Sequence, residues 1–231
     1  MALEVKKQLK KLSNKHFAEN IKRYLKSPYE FYGIHVPEIR TLAKHLYEEH
    51  ELKDFYRVFN RLWNSGYHEE MSLALYTLQL YEKEFDLETF KFLMPKLEDI
   101  KSWDQIDAIS SSIIGKILLK DPRLEKEILK LSKSKNFWMR RIAIVSTLPR
   151  IKTGDIRLTM RLAEDYINDK ENYIQKSTGW MLREAGKQKP EIVKRFILKH
   201  MHMPPIAFSY ATEKMTELRK LRKIKKLKDN M

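Results

Sequence analysis

The 231-residue chain has no cysteine. That excludes disulfides and thiolate metal sites, and it fits a reducing intracellular compartment. Only six glycines and eight prolines punctuate it, too few for an architecture of many short strands and tight turns. No apolar run approaches the roughly 20 residues of a membrane span. Residues 1–12, MALEVKKQLKKL, alternate lysine with leucine instead of building the apolar stretch of a signal peptide. A cytoplasmic protein with no membrane partner is the expectation. Acidic residues are also scarce: 31 Asp and Glu face 46 Lys and Arg, for a formal net charge of +15. Such a chain is drawn to polyanions, of which nucleic acid is the commonest in a cell. The plainer reading is a lysine-rich surface kept soluble by self-repulsion.

What the chain does have is 42% hydrophobic residues, enough for a sizeable core. They recur at intervals of three and four, without the period-2 alternation of a sheet, so the fold class is all-α. Ser27-Pro28, Asp121-Pro122, Thr153-Gly154, Lys189-Pro190 and Pro204-Pro205 divide the chain into helices of ordinary length. Five helical blocks align beneath one another: HEEMSLALYTLQLY from His68, SWDQIDAISSSIIG from Ser102, NFWMRRIAIVSTLP from Asn136, ENYIQKSTGWMLRE from Glu171 and PPIAFSYATEKM from Pro204. Their starts are 34, 34, 35 and 33 residues apart. Shorter amphipathic pieces between them, DLETFKFLMPKL, DPRLEKEILKLSK and GDIRLTMRLAEDYI, supply a first helix for each pair. A two-helix unit at this period predicts an α-solenoid of antiparallel helix pairs. It is HEAT-like, since tetratricopeptide and ankyrin consensus residues are missing. The expectation is one domain over 1–231, with 219–231 a basic extension of the last helix. The alternative is a helical bundle whose spacing is coincidental.

Second helices commonly line the concave side of such an array. On that reading SWDQID, FWMRR and YIQKSTGWMLRE share a basic groove holding Trp103, Asp107, Arg140, Arg141, Lys176, Trp180 and Arg183. Cations interleaved with aromatics suit nucleic acid; an acid among them repels phosphate and needs a structural partner or a chemical task. Trp103 and Asp107 stand at i and i+4 and share a helix face, whereas Asp104 points aside and reads as a bystander. A salt bridge from Asp107 to Arg141 of the next repeat is the structural alternative. Tryptophan at helical spacing is more often core, and Trp63 and Trp138 are assigned there.

The chain resembles the AlkD-like family of bacterial DNA glycosylases, which excise alkylated purines and have HEAT-like solenoid folds. The resemblance rests on FYGIHVPEIRTLAKHL, YHEEMSLALYTLQLY, SWDQIDAISSSIIG, FWMRRIAIVSTL and YIQKSTGWMLREAGK, in order and at the expected spacing. It implies functional positions at the Trp-x-x-x-Asp pattern, the Arg of RRIAI and the Trp of GWMLRE, which fall here on Trp103, Asp107, Arg141 and Trp180. It also implies action on a base that stays stacked, without the extrusion that most base-excising enzymes use. The chemistry agrees with one acid. Ordinary glycosidases supply two carboxylates, but an N3-alkyladenine or N7-alkylguanine is already cationic and leaves as a neutral base without a general acid. One carboxylate, Asp107, then suffices to stabilise the oxocarbenium-like sugar and position water. The indoles would pack on deoxyribose, and Arg141 would clamp a phosphate. Arg140, Lys176 and Arg183 are further candidates for backbone contacts.

No G-x-G-x-x-G and no P-loop occurs, so a nucleotide cofactor is not expected. The seven histidines form no metal-binding pattern. No lysine sits where a Schiff base would form, so lyase activity is not expected. ELRKLRKIKKLKD reads as an amphipathic basic helix that either extends the DNA contact or caps the array. The expected partner is duplex DNA containing alkylated purines, met by a monomer associated with the nucleoid. The competing readings are a non-catalytic solenoid that binds branched or distorted DNA, and a protein-binding scaffold.

Overall fold

The computed structural model describes the backbone of residues 2–98 and 100–229, and side chains within residues 4–98 and 100–223. By packing, the chain divides into two compact units, residues 1–109 and 110–231. The first holds α1 (Ala2–Lys11), α2 (Lys15–Leu25), α3 (Val36–Glu48), α4 (Leu52–Trp63), α5 (His68–Leu80), α6 (Leu87–Leu97) and α7 (Trp103–Ile109). The second opens on a π-helical turn, Ser110–Ile114, followed by α8 (Gly115–Lys120). A 3-10 turn, Pro122–Leu124, then leads to α9 (Glu125–Leu131), α10 (Phe137–Val145), α11 (Leu148–Lys152) and α12 (Arg157–Asp165). The unit closes with α13 (Asn172–Gln188), α14 (Pro190–Lys199), α15 (Pro205–Ala211) and α16 (Thr216–Asp229). The described residues form no strand; a lone bridge joins Glu30 to Tyr67.

The helix starts follow the spacing expected from sequence. α5 begins at His68, and α7, α10, α13 and α15 each begin one residue past the aligned Ser102, Asn136, Glu171 and Pro204. Side-chain caps fix the start of α10 and, between the aligned blocks, that of α6. The Asn136 carboxamide accepts from the Trp138 N–H at 2.9 Å, and Asp86 accepts from the Thr89 N–H at 2.9 Å. Each cap contributes about 1 kcal/mol.

Within the second unit, packing runs from each repeat to the next. The Tyr166 hydroxyl donates to the Ser132 carbonyl, 34 residues away, at 3.1 Å. The guanidinium of Arg150 donates to the Leu118 carbonyl, 32 residues back, at 3.1 and 3.3 Å. His200 meets Glu164, 36 residues back, at 2.9 Å. Partners separated by about one repeat are what an array of stacked pairs requires. The core comprises Phe55, Phe59, Leu73 and Leu93 in the first unit, and Ile113, Ile142, Leu162 and Val193 in the second, all fully buried. Each contributes roughly 1.5–3 kcal/mol.

In its helices and core the structure departs from the sequence reading in two places. The second helix of the FWMRR repeat is broken into α10 and α11: Pro149 lacks an N–H, while the Ser146 and Thr147 hydroxyls donate to the carbonyls of Ile142 and Ile144, both at 2.7 Å. Trp63 is core as expected, but Trp138 is only half-buried. It lies instead against the rings of Phe137 and Tyr173, at centroid distances of 4.4 and 4.9 Å.

Candidate functional site

In the first unit the candidate residues sit on α7. Gln105, Ile106 and Ile109 are buried on its inner side, which leaves Trp103 and Asp107, one turn apart, half-buried on the same outer face. Tyr24 of α2, 69% exposed, meets the Trp103 indole edge-on, with centroids 6.1 Å apart and planes at 72°. Sequence reasoning missed this tyrosine. Its only signal was an aromatic in a basic run, KRYLKS, 79 residues before Trp103.

Asp104, read as a bystander, is part of the frame. Its carboxylate takes a 2.8 Å hydrogen bond from His68 Nε2 on α5 and another from the Ser102 hydroxyl. The His68 ring in turn stacks on Phe31, 4.7 Å away and 15° from parallel. Burial pushes the Asp104 carboxyl up, but the His68 and Ser102 hydrogen bonds, the His68 charge and the Gln105 N–H outweigh it. The carboxyl is held below its ordinary value. This pair fastens the first turn of α7 to α5, and with it the direction in which Trp103 and Asp107 face.

In the second unit Arg141 of α10 is 6% exposed, and its Nη1 donates to the Tyr173 carbonyl of α13 at 2.5 Å. Trp180, two turns further along α13, is half-buried. Gly179 beside it sets its position, because a Cβ there would lie 2.4 Å from the Ala207 carbonyl oxygen and 2.6 Å from Tyr210 Cβ. Only glycine lets α13 and α15 come this close.

Of the three further cations, one stands open. Lys176 is exposed and forms no ion pair among the described residues. Arg140 instead holds Asp169 through Nε at 2.9 Å and Nη2 at 3.3 Å, and donates from Nη1 to the Ser134 and Lys135 carbonyls. This places its guanidinium in the frame. Arg183 is paired with Glu184 at 3.3 Å and with Glu213. Among the described residues no three His, Asp or Glu side chains gather to hold a metal ion. No helix among them is long and apolar enough to cross a membrane.

The chain has known relatives in fold. A solved structure described as a predicted DNA alkylation repair enzyme from Enterococcus faecalis superimposes with a TM-score of 0.77 at 23% identity, covering 88% of this chain and 96% of that one. AlkD2 from Streptococcus mutans superimposes with a TM-score of 0.60 at 18% identity, covering 86% and 97%. At these identities the likeness establishes the fold, an all-α helical repeat. No curated protein matches the chain significantly. Residues 5–215, however, match the family described as DNA alkylation repair enzyme. With more than nine-tenths of its residues inside that match, the chain belongs to the DNA alkylation repair enzyme family.

Proposed function

We propose that the chain is a monofunctional alkylpurine DNA glycosylase, acting on N3-alkyladenine and N7-alkylguanine in duplex DNA. The observation that supports this most is the outer face of α7, where Asp107 lies one turn from Trp103 and Trp103 meets exposed Tyr24. A carboxylate that reaches the surface one turn from a tryptophan, in a chain of net charge +15, suits a cationic sugar better than it suits phosphate.

In the proposed reaction the bond between C1′ and the base nitrogen breaks, and its electron pair neutralises the positive purine. Water adds to C1′ and releases its proton to solvent. Asp107 lowers the barrier by stabilising positive charge at C1′ and orienting that water. The Trp103 indole presents a π face to the deoxyribose of a lesion that remains stacked, and Trp180, in the second unit, offers a π face of its own to DNA. Arg141 supplies a fixed positive charge next to α13 for a phosphate, and Lys176 a second, mobile one. Arg140 and Arg183, committed to Asp169 and to Glu184 and Glu213, serve this site by holding its helices. In this reading the repeats are HEAT-like, and the protein acts as a nucleoid-associated cytoplasmic monomer.

The test is to incubate duplex DNA containing N7-methylguanine with the protein and quantify free base. Release well above the spontaneous rate is expected. Release at the spontaneous rate, from protein that still binds the duplex, would leave the binding-only reading.

A further inference from the structure

The charge of this chain is unevenly placed. Seven of its 46 Lys and Arg, and no Asp or Glu, lie within residues 218–228, so that 11 residues hold +7 of the formal +15. All are on α16, which begins at Thr216, just beyond residue 215 where the family match ends.

The helix is fixed by its arginines and by Leu218. Leu218 is fully buried. Arg219 donates from Nη2 to the Ser209 carbonyl at 2.8 Å and from Nε to the Thr212 hydroxyl at 3.2 Å. Arg222 donates to the Met203 carbonyl at 2.7 Å and lies over the Phe208 ring, 4.2 Å from its centroid. These contacts lock the start of α16 onto α15, which packs on α13, the helix of Lys176 and Trp180. Lys220 and Lys223, in contrast, are exposed and make no ion pair among the described residues. Lys225, Lys226 and Lys228 follow in sequence.

Arginine is thus used as framework and lysine is left as charge. A helix whose sequence carries seven cations within 11 residues, with Lys220 and Lys223 exposed, suits the phosphates of a nucleic-acid strand. A membrane-surface helix would need a broad apolar face with aromatic anchors. Residues 216–229 contain no aromatic, Leu218 is already used inside the protein, and Leu221, 46% exposed, is the one apolar side chain that the described part of the helix leaves at the surface, short of a broad apolar face.

From this we infer that α16 is a phosphate-binding anchor for duplex DNA, separate from the α7 and α13 residues and independent of damage. The choice of DNA over other polyanions rests on the repair reading above. The anchor holds undamaged duplex to the same unit that contributes Trp180, so that lesions are searched for without release.

The experiment compares the full chain with Lys220→Gln/Lys223→Gln, which keeps helix propensity and leaves both arginines in place. A second variant changes Lys220, Lys223, Lys225, Lys226 and Lys228 to Gln together. Affinity for undamaged duplex is measured by anisotropy across a salt series. Each lysine on a phosphate contributes about 0.9 to the log–log slope, so the double variant should lose up to about 1.8 and the fivefold variant up to about 4.5. Slopes equal to wild type, from variants of unchanged helicity, would overturn the anchor. So would lost binding to anionic vesicles with DNA affinity intact, which assigns the helix to a lipid surface. If wild type releases no base while the lysine variants still flatten the salt dependence, the glycosylase reading fails and the anchor stands.

Discussion

Glu69 on α5 and Asp107 on α7 are acids in the second helices of adjacent repeats, and the structure uses them in opposite ways. Glu69 is 3% exposed. Its carboxylate accepts from three backbone N–H groups of one loop: Tyr32 at 3.1 Å, Gly33 at 2.7 Å and Ile34 at 3.2 Å. That loop can turn this tightly because Gly33 has φ +78°, where a Cβ would lie 2.0 Å from the Asn14 carbonyl oxygen. Glu70 beside it, 1% exposed, accepts from the Tyr32 hydroxyl at 2.8 Å. Asp107 instead shares an outer, half-buried face with Trp103. A buried carboxylate is tolerated only when its lone pairs are filled, so Glu69 is architecture. Asp107 reaches the surface one turn from Trp103, and it is the acid on which the proposed chemistry rests.

The largest effect expected from breaking this contrast is at Asp107. Asp107→Asn should slow single-turnover base release on the order of 10³-fold, about 4 kcal/mol, and leave duplex affinity equal or slightly tighter. A large loss of affinity instead would make Asp107 structural and erase the distinction from Glu69. Glu69→Ala comes next, because it leaves three buried N–H groups without an acceptor. About 3 kcal/mol of stability should go, read as a Tm lower by roughly 6–12 °C in a thermal melt. Base release per folded molecule should be retained. Tyr24→Ala should cost several-fold in base release, about 1 kcal/mol, through the lost edge contact to Trp103. A melt unchanged from wild type would assign that loss to the site.

The smallest effect is at Asp104, and its sign follows from the direction of its shift. The folded carboxyl is held below its ordinary 3.8, so the stability it supplies is complete above that value and is lost as pH falls through the lower, folded one. Asp104→Asn should therefore melt below wild type at neutral pH, and the two curves should converge in acid below 3.8. A gap that persisted there would place the effect in packing and not in charge.

Much of the frame was legible in the sequence because its signals are local. Proline and cap residues mark helix starts, and the three-and-four spacing marks the faces to be buried. The repeat period placed α5, α7, α10, α13 and α15 to within a residue. Trp103 and Asp107 were legible as one face for the same reason. What the sequence hid depends on partners about one repeat away. Nothing near Glu69 says that its acceptors' donors lie 35 to 37 residues back, nor near Arg140 that its carboxylate lies 29 residues ahead. Asp104 looked idle because His68 is 36 residues distant. Trp138 looked buried because periodicity alone cannot separate an aromatic cluster at the surface from a core.

The grip of Glu69 on the loop before α3 also dictates an order of assembly. The N–H groups of Tyr32, Gly33 and Ile34 are made long before the residue that will receive them, and until α5 winds up they can be satisfied only by water. The loop is therefore closed from downstream, as a clasp is closed by its second half. During synthesis the stretch before α3 must wait, hydrated, for a helix still to come. In the finished protein its amides should be released to solvent only when α5 itself lets go, which hydrogen exchange at Gly33 and Ile34 would register as openings shared with that helix.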